Sequence, residues 1–137
     1  MQQYLPATKR RGASAVEFAL VAPIFFLVVL GIVEFGRMAM VQQIITNAAR
    51  EGARIAVLDG ATKAKVTTKV NDYLSSGKIN TAAVTVSPDP PDSAGYGQPV
   101  TVGVSVPFND VSWLPAPFFM GGKTLAAESI MRRETVE

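Results

Sequence analysis

The chain has 137 residues, nearly half of them apolar, with a formal charge of +2 and neither Cys nor His. That length holds one small domain, and the missing Cys and His exclude a disulfide framework, thiol chemistry and the commonest metal ligand and general base. Lys9, Arg10 and Arg11 give the first twelve residues +3, while the rest of the chain, with ten basic and eleven acidic residues, carries −1. A basic pI built from three residues at one end is no nucleic-acid footprint, which needs a basic face on the folded domain, and no nucleic-acid partner is expected.

The first predicted element is apolar. Ala13 to Val33 contains one charge, Glu17, and as a helix its 21 residues would span about 31 Å, close to the hydrocarbon thickness of a bilayer. The run ends at Glu34-Phe35-Gly36-Arg37 without the small-residue cleavage site of a secretory signal. The chain is too short to bury such a helix in a soluble core, so a transmembrane helix over 13–33 is expected, with lipid around it. Pro23 and Gly31 are both tolerated in spans. The basic residues before it hold the N-terminus in the cytoplasm and place the remainder outside the cytoplasmic (inner) membrane.

The helical pattern continues beyond the span. Met38, Val41, Ile45, Ala48, Gly52 and Ile55 fall on one face, and Gln43, Asn47, Arg50 and Arg54 on the other. Glu34–Arg37 and Glu51–Arg54 are spaced as i,i+3 pairs. A helix from Ala13 to about Leu58, stopped by Gly60, would be roughly 68 Å long, and residues 34–58 read as a stem.

Residues 59–137 read as a small extracytoplasmic α+β domain. Thr62 caps a second helix with Val66, Val70, Tyr73 and Leu74 on one face and Lys63, Lys65 and Lys69 away from it, ending at Ser76-Gly77. Ala83–Val86 is a short strand, and the alternation of Val100, Val102, Val104, Val106 and Phe108 is a clearer one. Pro88–Gly97 is an exposed connection whose Asp89 and Asp92 read more simply as turn residues than as Ca²⁺ ligands. Trp113–Met120 is an apolar loop, either a docking surface or the cover of a small core. Thr124–Arg133 fits helix by propensity and strand by the alternation of Leu125, Ala127 and Met131. No cofactor or metal site is expected. No nucleophile motif supports a Ser/Lys hydrolase, and the chain reads as a non-enzyme.

The functional constellation is Arg10-Arg11-Gly12-Ala13-Ser14-Ala15-Val16-Glu17-Phe18-Ala19-Leu20. A carboxylate inside a span costs about 2.5–3.5 kcal/mol at the helix centre, less toward an end, so Glu17 calls for a cation. Cleavage between Gly12 and Ala13 would create one, the α-amine of Ala13 on this or a neighbouring subunit. The pattern resembles type IV-like prepilins, whose basic leader ends in Gly and whose fifth mature residue is Glu. Glu17-Phe18, the run Val16–Pro23, Ile32–Arg37, Asn47–Arg54 and the ending Ala127–Glu134 resemble TadE-type minor pseudopilins of the tight-adherence (Tad/Flp) pilus.

The resemblance implies a leader over 1–12, a prepilin peptidase as processing partner, and a role in assembling or initiating the pilus beside other pilins and the assembly platform. It implies Glu17 and Phe18 as assembly residues, strand for Thr124–Arg133, and a pilin-like α+β fold of long helix, short helix and small antiparallel sheet. The competing reading is an uncleaved, single-pass, membrane-tethered binding module that presents Trp113–Met120.

Overall fold

The computed structural model describes residues 8–134, with side chains from Gly12 onward. Most of the expected leader, and the side chains of Lys9, Arg10 and Arg11, lie outside the described residues.

Helix α1 runs Thr8–Ala56, with Pro23 inside it. Its most apolar 18-residue stretch has mean hydropathy 2.7 and none of that stretch is buried, so α1 is long and apolar enough to cross a membrane. The helix ends two residues before the expected Leu58. The Leu58 N–H turns to the Ile55 carbonyl, three residues back, which tightens the last turn, and Gly60 takes a φ of +66° in the turn that follows.

The chain divides into two compact units, residues 1–33 and 34–137. In the second, helix α2 (Lys63–Ser76) opens on the Thr62 side chain, which accepts from the Lys65 N–H, and it buries Val66, Val70 and Leu74. Tyr73 does not join them and is 37% exposed. Val66, Val70 and Leu74 form a stripe at steps of four, and Tyr73 falls on its flank beside Glu51 and Asp72.

Strands β1 (Ala83–Ser87), β2 (Pro99–Pro107) and β3 (Thr124–Arg132) form an antiparallel sheet in the order β1-β2-β3. Val102 of β2 faces Val86 on one side and Ser129 on the other. The ambiguous C-terminal segment is therefore strand, because pairing with β2 along nine residues outweighs the helical propensity of Leu125–Glu128. Phe108, expected to end the second strand, lies in a short 3₁₀ turn (Phe108–Asp110) and is still fully buried. The fold is the expected α+β arrangement.

The core joins residues 34–58 to the sheet. Val41, Ile45, Ala48, Ala49, Ala53 and Ala56 of α1 share one buried cluster with Val66, Val70 and Leu74 of α2 and with Val100, Val102, Val104 and Val106 of β2. Each fully buried Val, Ile or Leu contributes about 1.5–3 kcal/mol. The small residues of α1 set the packing distance: a Cβ on Gly52 would stand 2.5 Å from Val70 Cγ2 and 3.0 Å from Val102 Cγ1.

Candidate functional site

Two sets of residues on α1 carry chemistry, one in each unit. In the first, Gly12 lies within the helix and a Cβ there would meet nothing within 4 Å. Ala13 and Glu17 are one turn apart and both exposed, and Phe18 is 71% exposed. Around them stand Val16, Leu20, Val21 and Ile24, all exposed and apolar. Among the described residues no hydrogen bond or ion pair engages Glu17. The expected site residues Gly12, Ala13, Glu17 and Phe18 thus lie within two turns of one bare stretch of helix, with one carboxylate in an apolar surface.

The second set was read from sequence only as a local ion pair, and the structure corrects that reading. Glu34 and Arg37 are 1% and 6% exposed, and among the described residues they do not pair with each other. Each reaches instead for the loop between β2 and β3. The Glu34 carboxylate accepts the backbone N–H groups of Phe118, Phe119 (2.8 Å) and Met120 (3.0 Å). Burial pushes its pKa up, but the three N–H donors pull it further down, and it lies below the ordinary carboxylate value.

Arg37 donates from Nε to the Val111 carbonyl at 2.7 Å, and its guanidinium lies 5.0 Å from the Trp113 ring centre. Burial lowers its pKa, yet a guanidinium stays charged at any physiological pH. Phe35 adds a tilted ring contact with Phe119, centroids 6.5 Å apart. The apolar loop covers the core in part, with Met120 packed against it. Its backbone is gripped by two charged side chains, while Trp113, Phe118 and Phe119 remain exposed. The sequence signal was two charges flanking Phe35-Gly36 directly after an apolar run. Spacing alone shows only neighbours on the helix, and these partners lie 74 to 86 residues away.

Elsewhere Glu51 and Arg54 form the expected pair at 2.8 Å, with Lys69 3.8 Å from the same carboxylate oxygen. Asp89 pairs with Lys63 at 2.8 Å. Arg133 bonds to the Asp59 and Asp92 carboxylates and to the Ala94 carbonyl, tying the end of β3 to the turn after α1. Both aspartates considered as cation ligands are thus taken up by basic side chains. Among the described residues no three acids converge on a metal position.

A family model described as TadE-like protein matches residues 12–54. This segment is TadE-like. Comparison with curated proteins and with solved structures gives no match. The TadE-like segment contains both sets of α1 residues, Gly12–Phe18 and Glu34–Arg37, and the part of the helix that enters the core. The loop gripped by Glu34 and Arg37 lies beyond it, as do α2 and the sheet.

Proposed function

We propose that this chain is a minor pseudopilin of the Tad pilus, anchored in the inner membrane by residues 13–33, freed of its leader by a prepilin peptidase and active in assembling or initiating the filament. The observation that carries the reading is Glu17, a carboxylate without a partner among the described residues, on bare apolar helix one turn beyond the Gly12–Ala13 bond. Its cost in lipid has to be met, and the α-amine released at Ala13 supplies the opposite charge between packed subunits. Phe18 lies beside it and offers apolar surface to the same neighbour.

Because α1 begins at Thr8, the Gly12–Ala13 bond sits inside a helix in the uncleaved chain. A peptidase needs that turn unwound, and Gly12 costs the helix about 1 kcal/mol relative to Ala, which eases the opening. The leader charges orient the N-terminus to the cytoplasm, and labelling of a Ser93→Cys variant by an impermeant thiol reagent checks that orientation.

The deciding experiment is intact-mass spectrometry of the membrane fraction from cells with an active prepilin peptidase. The expected species begins at Ala13, and Gly12→Val should leave the leader attached. Full-length protein in those cells would favour the uncleaved binding module instead. Glu17→Gln should preserve cleavage and protein level while sharply reducing pili. Losing one member of a buried ion pair costs about 3–5 kcal/mol, or about two to three and a half decades in association. Wild-type piliation in that variant would remove Glu17 from the assembly mechanism.

A further inference from the structure

We infer that the loop Val111–Lys123 is a second membrane contact, an aromatic anchor seated in the headgroup region of the bilayer that α1 crosses. The inference rests on the membrane-anchored reading above.

Its first ground is where the exposed apolar residues lie. Among the described residues from Glu34 onward, nine large apolar side chains are exposed: Phe35, Met40, Leu58, Tyr73, Tyr96, Trp113, Phe118, Phe119 and Ile130. Five of them are tied to Glu34 or Arg37 directly or through one ring. Phe118 and Phe119 donate their N–H groups to Glu34, and Phe35 makes its tilted ring contact with Phe119. Trp113 lies against Arg37, and Met40 Sδ accepts from Arg37 at 3.6 Å. Scattered apolar residues need no explanation, but a group of this kind marks a contact surface.

The second ground is depth. Glu34 directly follows Val33, the last residue of the apolar run, so side chains fixed to Glu34 and Arg37 lie within about a turn of the point where the helix leaves the hydrocarbon. Trp and aromatic residues concentrate at that level because an apolar ring body and a polar edge are both satisfied there.

The third ground is the chemistry of the loop backbone. An unpaired N–H carried toward lipid costs several kcal/mol. Three successive loop N–H groups are already paired with the Glu34 carboxylate, and the Val111 carbonyl with Arg37. The loop from Val111 to Lys123 contains no acid, and its one charge is the lysine at its end, so nothing in it repels an anionic lipid surface. Phe118 at 68% and Trp113 at 63% exposure are free to enter the interface without unmaking a contact of the core.

Trp113 is the only tryptophan of the chain, so it reports its own depth. The test uses the full chain reconstituted in phosphatidylcholine vesicles, with bromine placed on the acyl chain either next to the headgroup or near the methyl end. The expected result is a blue-shifted Trp113 emission that loses more intensity to the shallow bromine than to the deep one. Phe118→Ser combined with Phe119→Ser should shift the emission back to the red and restore intensity, with the far-ultraviolet circular dichroism and flotation of the vesicles unchanged. Emission at the wavelength of a hydrated indole, quenched by aqueous iodide and not by bromolipid, in protein that floats with the vesicles would overturn the inference and leave the anchor standing. So would a Trp113 shielded from both quenchers until the protein is diluted in lipid, since a second copy would then be the occupant. Failure of the chain to float with the vesicles would remove the membrane anchor itself, and this inference with it.

Discussion

Glu34 has the environment of an oxyanion, a buried carboxylate facing three backbone donors that no other group among the described residues satisfies. Its pKa is depressed in the folded chain, so its contribution to stability is fully present above the ordinary carboxylate range and is lost as the pH falls through the folded value. Glu34→Gln should therefore lower the melting temperature at neutral pH, because an amide oxygen accepts more weakly and its NH₂ turns a donor toward donors. Toward acid pH the variant and the wild type should converge. Thermal melts of the detergent-solubilised chain from neutral to acid pH check this, and an equal offset at every pH would show that the carboxylate charge is not what holds the loop. Some acid sensitivity should survive in the variant. Glu51 is pulled down as well, first by its hydrogen bonds from Arg54 and against the opposing effect of burial.

At the scale of elements, α1 does two jobs with two compositions. From Val16 to Ile32 it is covered in large apolar residues that face outward, and from Val41 to Ala56 it turns alanines and Gly52 toward α2 and β2. Substitutions at two glycines of α1 should act in opposite directions. Gly36→Ala meets nothing within 4 Å and removes a flexible residue from mid-helix, so it should raise stability by about 1 kcal/mol. Gly52→Ala gains the same propensity but drives a methyl into stiff β-branched Val70 and Val102, where overpacking costs about 1–3 kcal/mol. It should be neutral to destabilising, and denaturant titration of the two variants should separate them in that order.

Much of this element structure was legible in the sequence. The three-four spacing from Met38 to Ile55 marked the packed face, the Thr62 cap marked the start of α2, and the valines of β2 alternated as a half-buried strand must. What local patterns missed depends on distant partners. Thr124–Arg132 is strand because β2 is beside it, and Glu34 and Arg37 look like a helical ion pair until a loop some 80 residues later arrives to take both. The Gly12–Phe18 constellation lies within two turns of one helix, so its spacing depends on no distant partner.

For the whole molecule, the stem and the sheet domain share one hydrophobic core, so a boundary at residue 59 cuts through packed side chains. A fragment beginning at Ile32 should melt cooperatively with strand signal in circular dichroism. One beginning at Asp59 lacks Val41, Ile45, Ala48, Ala49, Ala53 and Ala56 and should stay unfolded. Native-like melting of the shorter fragment would show that α2 and the sheet bury enough surface without the helix.

Synthesis runs from the N-terminus, and that gives the Glu34 contacts a place in time. The carboxylate is made early, whereas its donors at Phe118, Phe119 and Met120 follow 84, 85 and 86 residues later. β3 emerges after β1 and β2, and it covers the second edge of β2. During translation α1 is therefore free to enter the bilayer while its packed face has no sheet to meet. Contacts of such long sequence separation form slowly, because a long loop must close before any of them is rewarded. A ribosome stalled before residue 118 would hold a chain whose helix is placed and whose domain is open. Closure of the fold thus waits until residues 118–132 have been made.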